Sequence, residues 1–135
     1  MLFRSGFTDI SDLIGGYGAW AASNIPAQLP TIAVNDVDTT GSVMLLDCRE
    51  DDEWLAGRVN GAVHIPMAQL PSRIDEISDS RAVVCICRSG NRSGKVTAWL
   101  LSKGYTAMNM TGGMKAWAAA GREVTGPGGT AGTVI

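Results

Sequence analysis

The sequence has little of what a metal site or a disulfide framework requires. Among its 135 residues there are one histidine and three cysteines, Cys48, Cys85 and Cys87, and no two of these stand in a C-x-x-C pair. A lone histidine without such a pair argues against a zinc site. An odd number of cysteines in a chain without an export signal favours free thiols over disulfides. The question is therefore which thiol is reactive.

Long apolar runs and an excess of positive charge are missing as well. The 11 Lys and Arg against 13 Asp and Glu give a net charge of -2 and a pI of about 5.2, which excludes the broad basic field of a nucleic-acid-binding protein. No apolar run approaches the roughly 18 residues that a membrane span needs. Arg4 interrupts the N-terminus too early for the apolar region of a signal peptide. We expect a cytoplasmic protein that binds neither nucleic acid nor membrane.

Short apolar runs alternate with helical patterns from residue 42 onward. The runs that predict buried strands cover residues 43–46, 62–65, 82–86 and, more weakly, 107–110. The patterns that predict helices cover residues 50–56, 68–77, 93–103 and 114–120. Alternation of uniformly apolar strands with helices predicts an α/β fold, with a small central parallel β-sheet and helices on both faces.

A cysteine ends the third predicted strand, and two arginines follow it within five residues. In the segment VVCICRSGNRSGKV the strand ends at Cys87, and Gly90 permits a turn that a side chain would obstruct. A loop that curls over Cys87 would point backbone N–H groups at the sulfur, and the next helix adds the positive end of its dipole. With Arg88 and Arg92 nearby, these groups favour the thiolate. We therefore predict that Cys87 is a nucleophile that needs no partner histidine.

Three motifs now resemble one known family. The segment Cys87–Arg92 resembles the active loop of rhodanese-type sulfurtransferases. The segment LLDCREDDEWLAGRVNGAVHIP, Leu45–Pro66, resembles the family's Asp-x-Arg strand end, its Glu-Trp helix and its Gly-Ala-x-His-Ile-Pro strand. The segment TGGMKAWAAAG, Thr111–Gly121, resembles its Gly-Gly-x-x-x-Trp signature. The motifs stand in family order across residues 42–121, and they imply the rhodanese-like fold.

The resemblance also implies the chemistry. In this family the cysteine takes a sulfane sulfur from a donor and holds it as a persulfide, until an acceptor such as cyanide or a thiol removes it. Cys87 would then be catalytic, without a metal or cofactor, in a ping-pong cycle. The residues expected to bind the substrate are Arg88, Ser89, Gly90, Asn91 and Arg92. Thiosulfate, a dianion, suits two guanidinium groups, whereas mercaptopyruvate-specific relatives carry an uncharged Cys-Gly-x-Gly-Val-Thr loop.

Other residues are expected to support this loop. Asp47 and Arg49 match the family's Asp-x-Arg pair, and we expect an ion pair that fixes a strand end rather than a substrate contact. Ser93 is a further supporting residue, and Arg92 is expected to brace the loop more than to contact the donor. The remaining question is Cys48, which follows another predicted strand and could resolve a persulfide as a disulfide partner. Sequence alone sets no distance between two thiols.

The N-terminal residues repeat a later segment of the chain. Gly-aromatic-Thr, Gly-Gly and Ala-Trp-Ala-Ala occur in the same order in residues 2–26 and 100–124, at an offset of 98 and then 97 residues. Residues 1–27 therefore resemble the C-terminal segment of a preceding rhodanese repeat, now vestigial. We place the rhodanese-like domain at 28–126 and a flexible Gly- and Thr-rich tail at 127–135. The orphan segment leaves a monomer and a homodimer through that segment both open.

Alternative functions remain at this point. A cysteine phosphatase or arsenate reductase of the same fold needs the wider loop Cys-x5-Arg, but Cys87 and Arg92 form Cys-x4-Arg. A non-enzymatic persulfide relay or a sensing and interaction module could use the same cysteine with a protein sulfur partner. Residues 57–62 read Gly-Arg-Val-Asn-Gly-Ala where the family often has Gly-His-Ile-Pro-Gly-Ala. We expect that difference to affect the acceptor rather than the cysteine chemistry.

Overall fold

A five-stranded parallel sheet forms the centre of the molecule. The computed structural model describes residues 29–135, so the predicted vestigial segment 1–27 lies outside the described residues. The strands are β1 (Thr31–Ile32), β2 (Met44–Asp47), β3 (Val63–His64), β4 (Val83–Ile86) and β5 (Ala107–Met110). Their order is β1-β5-β4-β2-β3, and every neighbouring pair is parallel. The predicted α/β fold with a parallel sheet is confirmed.

Three α-helices and several 3-10 turns connect the strands. The helices are α1 (Asp51–Ala56), α2 (Asn91–Ser102) and α3 (Gly113–Ala119). Helix α1 begins with a capping box, in which the Glu53 carboxylate accepts a hydrogen bond from the Glu50 N–H group at 3.0 Å. Between residues 29 and 135 no helix is both long enough and apolar enough to span a bilayer.

Two elements differ from the sequence prediction. The helix predicted over residues 68–77 is instead two 3-10 segments, Met67–Gln69 and Pro71–Glu76. Pro71 has no N–H group for an α-helical hydrogen bond, and Arg73 has a non-helical φ of -119°, so the turns stay short. Strand β1 was not predicted, because two residues are too few to establish a periodic pattern.

The sheet buries both of its faces, which explains the uniformly apolar strands. Alternate residues of the central strands, Leu46 and Cys85 among them, face a core that includes Val96, Trp99 and Leu100 of α2. The intervening residues, such as Val84 and Ile86, face a core that includes Met114 and Trp117 of α3. Burial of each large apolar side chain contributes about 1.5–3 kcal/mol. Helices α2 and α3 therefore hold β4 from opposite sides and fix the position of its carboxyl end.

The C-terminal residues form hydrogen bonds beside α1. The backbones of Thr125 and Arg58 exchange two hydrogen bonds of 2.8 and 2.9 Å, and the Thr133 N–H group donates to the Ala56 carbonyl at 2.9 Å. A Cβ on Gly57 would collide with the Thr133 carbonyl, so the two segments are in close contact. The flexibility of residues 127–135 stays a prediction, and these are the contacts that such motion would break.

Candidate active site

The loop after β4 surrounds the sulfur of Cys87. Gly90 has a φ of +102°, in the left-handed region that favours glycine. This conformation lets the Gly90 N–H group donate a hydrogen bond to Cys87 Sγ at 3.1 Å. The Ser93 hydroxyl, in the first turn of α2, lies 3.2 Å from the same sulfur. An amide and a hydroxyl aimed at one sulfur favour a negative charge on it, as does the positive end of the α2 dipole.

The sulfur lies at the bottom of this loop rather than at the surface. Cys87 is only 1% exposed. Arg88, Ser89 and Asn91 are exposed around it, and Gly90 is half-buried. A donor therefore reaches Sγ after the exposed residues of the loop move aside. Within residues 29–135, Gly90 and Ser93 have the only groups in hydrogen-bond contact with the sulfur, while the side chains of Arg88 and Arg92 bind Ile135 and Glu53 instead.

Helix α3 holds the other side of the same loop. The Met114 and Lys115 N–H groups donate to the carbonyls of Cys87 and Arg88 at 2.8 and 3.0 Å. Gly113 has a φ of +60°, and a Cβ there would lie 2.5 Å from the carbonyl oxygens of Cys87 and Arg88. The Gly-Gly signature thus lets α3 lie close enough to the loop for its N–H groups to bind the loop's carbonyl groups. The loop's backbone can then turn an N–H group toward the sulfur.

Arg92 forms a salt bridge with Glu53 of α1. Its two terminal nitrogens donate to the two carboxylate oxygens at 2.8 and 2.9 Å. The hydrogen bonds from Arg92 lower the pKa of Glu53 from 4.5 to about 2, and the same bonds raise the pKa of Arg92. Arg92 is thus engaged with a carboxylate and connects the start of α2 to α1. No local pattern in the sequence predicts this partner, because Glu53 and Arg92 are 39 residues apart.

The Asp47–Arg49 pair lies at the end of β2, the strand next to β4. Both side chains are fully buried, and the guanidinium donates to both Asp47 oxygens at 2.7–3.1 Å. Its Nη2 atom also donates to the Gly57 carbonyl at 2.7 Å. The Nε2–H group of His64 donates to the Arg49 carbonyl at 2.8 Å, so this histidine has a structural partner. The pair connects β2 to the end of α1, away from any direct contact with Cys87.

Asn109 of β5 is a site residue that sequence reasoning missed. Its Nδ2 group donates to the Gly90 carbonyl at 3.1 Å, and its Oδ1 atom lies 2.5 Å from the Ser93 hydroxyl. Because that hydroxyl has a single proton, it donates either to Asn109 or to Cys87 Sγ. Asn109 therefore positions both groups that contact the sulfur. A polar residue within the otherwise apolar run AMNM was the available signal.

The remaining predicted residues have different surroundings. Arg88 is exposed, and its Nε atom donates to the Ile135 carbonyl at 2.8 Å.

The other two thiols, Cys48 and Cys85, are fully buried. Burial raises the pKa of Cys85 to about 12, and burial also raises that of Cys48 well above its ordinary value, helped by the nearby charge of Cys87. Cys85 and Cys48 are therefore neutral thiols at neutral pH.

Comparisons with known proteins show the family and the fold. The family model described as Rhodanese-like domain matches residues 30–120. The chain is 37% identical over 106 residues to a protein named Sulfurtransferase of Allochromatium vinosum, a match that covers 71% of this chain and 99% of that protein. It is 30% identical over 109 residues to Thiosulfate sulfurtransferase 16, chloroplastic, of Arabidopsis thaliana, covering 71% and 90%. The crystal structure of a rhodanese-related protein from Thermoplasma volcanium superposes with a TM-score of 0.68 at 25% identity, covering 71% and 97%.

Proposed function

Because this chain belongs to the family of rhodanese-like domains, we propose that it is a thiosulfate sulfurtransferase whose sulfur carrier is Cys87. Membership and relatives named as sulfurtransferases support a role of this general kind. The finer assignment is supported by the hydrogen bond from the Gly90 N–H group to Cys87 Sγ and by the Ser93 hydroxyl 3.2 Å from the same atom, two groups that suit a sulfur anion. The proposed partners are a small anionic sulfur donor and a cyanide or thiol acceptor. A protein sulfur donor would use the same cysteine.

The proposed reaction has two balanced steps. The Cys87 thiolate attacks the outer sulfur of thiosulfate, a new S–S bond forms, and the S–S bond of thiosulfate breaks as sulfite leaves with the electron pair. The acceptor, for example cyanide, then attacks the terminal sulfur of the persulfide and leaves as thiocyanate, which restores the thiolate. Neither step transfers a proton. The commitment of His64 Nε2 to the Arg49 carbonyl is therefore compatible with the reaction.

Recognition of the donor falls mainly to Arg88. Arg88 is exposed and directly follows Cys87 in the chain, with its Nε atom bound to the Ile135 carbonyl, whereas the charge of Arg92 is neutralised by Glu53. A thiosulfate dianion that enters toward Cys87 would therefore meet the charge of Arg88 first. The bidentate salt bridge of Arg92 also argues against a phosphatase, because that arginine would have to leave Glu53 to bind a phosphoryl group.

Initial-rate kinetics with thiosulfate and cyanide tests this function. We expect thiocyanate formation with parallel double-reciprocal lines, which indicate a covalent intermediate. The Cys87→Ser variant should be inactive, whereas Cys85→Ser, a matched change two residues earlier on the same strand, should stay active. Activity in Cys87→Ser would reject the proposal. So would inactivity of the folded wild type toward thiosulfate together with hydrolysis of an aryl phosphate.

The cytoplasm is the compartment that we propose for this reaction. Residues 29–135 contain three free cysteines, and free thiols suit a reducing compartment. A monomer and a homodimer through residues 1–27 both stay open, because that segment lies outside the described residues, and light scattering on the full chain distinguishes them.

A further inference from the structure

Cys48 and Cys87 follow directly after neighbouring parallel strands. The register pairs Leu46 with Cys85 and Asp47 with Ile86, so the next pair in line is Cys48 with Cys87. The Cys48 N–H group donates to the Ile86 carbonyl at 3.0 Å, which extends the pairing by one residue. Neighbouring strands are about 4.8 Å apart. That spacing lies within the Cα separation of roughly 4.4–6.8 Å over which disulfides form.

The two side chains also point to the same face of the sheet. Side chains of paired residues in parallel strands share a face, and Cys48 and Cys87 both belong to the core that includes residues of α2. The Cys48 thiol lies 3.3 Å from the Ile86 carbonyl, next to Cys87 along the chain. The influence of a charged Cys87 on the pKa of Cys48 agrees with this closeness.

Burial separates Cys48 from solvent. Its side chain is fully buried, while Cys87 lies under a loop whose outer residues are exposed. Cys87 is therefore the thiol that a solute meets when the residues of this loop move aside. The sulfur-transfer cycle proposed above uses Cys87 alone and assigns nothing to Cys48.

We propose that Cys48 is a resolving thiol, which forms a reversible disulfide with Cys87 after a hydroperoxide has oxidised Cys87. The Cys87 thiolate attacks the peroxide, the O–O bond breaks, and an alkoxide (hydroxide from hydrogen peroxide itself) leaves and takes a proton from water, while Cys87 becomes the sulfenic acid. The Cys48 sulfur then attacks Cys87 Sγ, the S–O bond breaks, and the hydroxide leaves with the thiol proton as water. The two thiols lose two electrons and the peroxide gains them. A dithiol reductant restores both thiols by exchange.

This disulfide would protect the nucleophile from irreversible damage. A sulfenic acid without a neighbouring thiol is oxidised further to the sulfinic and sulfonic acids, of which the sulfonic acid cannot be reduced. Cys85 provides a matched control, because it is buried on the same face of β4 but its register partner is Leu46. The proposal does not depend on sulfur transfer, since hydrogen peroxide and no sulfur donor are used to test it.

The test treats folded wild type, Cys48→Ser and Cys85→Ser with hydrogen peroxide, removes the peroxide, and measures the intact mass before any thiol is blocked. Wild type and Cys85→Ser should lose about 2 Da, and a dithiol should reverse the loss. Cys48→Ser should instead gain about 32 or 48 Da on the peptide that contains Cys87. In Cys85→Ser, unreduced peptide mapping should join Cys48 to Cys87, the only other cysteine left.

Three results would overturn the proposal. The first is oxidation of wild type to the sulfinic and sulfonic forms as fast as that of Cys48→Ser. The second is no reaction of wild type with peroxide, and the third is an equal loss of about 2 Da in Cys48→Ser, which would make Cys85 the partner. Should Cys48→Ser fail to fold, as judged by circular dichroism, Cys48→Ala removes the same thiol with an apolar side chain and gives the same readout.

Discussion

The ends of β2 and β4 lie side by side, yet their polar groups are arranged in opposite ways. At the end of β2, Asp47 and Arg49 are fully buried and form short hydrogen bonds with each other. At the end of β4, Cys87 Sγ accepts a hydrogen bond from the Gly90 N–H group and lies 3.2 Å from the Ser93 hydroxyl, under a loop whose outer residues are exposed. The first end has its charges paired inside the protein. The end of β4 holds a sulfur that is free to form a further covalent bond.

The comparison indicates how a small domain supports a reactive loop. Buried ion pairs contribute little net stability, but removal of one partner leaves an unpaired charge in the interior. Such a pair therefore fixes geometry, and here it connects β2 to the end of α1 through the Gly57 carbonyl. Helix α1 in turn carries Glu53, which holds Arg92 beside the active loop. The following changes test this division of roles, in order of expected effect.

The largest effect should come from Arg49→Ala. This change leaves Asp47 buried without its cation, and we expect a loss of about 3–5 kcal/mol in the free energy of unfolding. Urea denaturation measures it. The control is Arg73→Ala, which removes an exposed pair with Glu76 and should cost at most about 1 kcal/mol. Equal losses for the two variants would contradict the special role of the buried pair.

Gly113→Ala should disable the loop. The added Cβ would meet the carbonyl oxygens of Cys87 and Arg88, and the positive φ adds about 1–2 kcal/mol of strain. Gly121→Ala shares the positive φ, at +80°, but its Cβ would meet open space. We expect similar backbone strain in both variants and a loss of thiosulfate turnover of more than about tenfold in Gly113→Ala alone. Full turnover in a folded Gly113→Ala would show that α3 does not hold the loop.

Acid should weaken the contact between α1 and α2. The pKa of Glu53 is lowered from 4.5 to about 2, so its stabilisation is present above pH 4.5 and is lost as the pH falls toward 2. After solvent screening of this partly exposed pair we expect about 1 kcal/mol or less. The free energy of unfolding, measured against pH for wild type and Glu53→Gln, should differ at neutral pH and converge near pH 2. A difference that stays constant over this range would contradict the assignment.

Arg88→Ala should have the smallest effect on stability, within about 0.5 kcal/mol. Because Arg88 is exposed, its attraction to thiosulfate should contribute at most about 1 kcal/mol, the upper value for an exposed ion pair. We therefore expect KM for thiosulfate to rise about fivefold. Arg81→Ala removes the same charge before the opposite end of β4 and should leave KM unchanged. An equal KM for Arg88→Ala and wild type would remove Arg88 from the donor site.

The sequence predicted local features better than contacts between distant segments. The central strands, helices α2 and α3, and the loop at Cys87 each have a periodic pattern or a motif that lies within a few residues. The salt bridge of Arg92 with Glu53 joins residues 39 positions apart, and the hydrogen bond of Asn109 with Gly90 joins residues 19 positions apart. Such partners depend on the order of the strands in the sheet, and the spacing of residues within a short segment does not reveal that order. Cys48 likewise becomes a neighbour of Cys87 only through the register of β2 and β4.

The most direct test of the central claim is the intact mass of the protein after incubation with thiosulfate. A persulfide on Cys87 should add about 32 Da, which cyanide should remove and which Cys87→Ser should never gain. Cys48→Ser and Cys85→Ser should both take up the sulfur. An unchanged wild-type mass, or the same gain in Cys87→Ser, would contradict a sulfur-carrying thiolate at the end of β4.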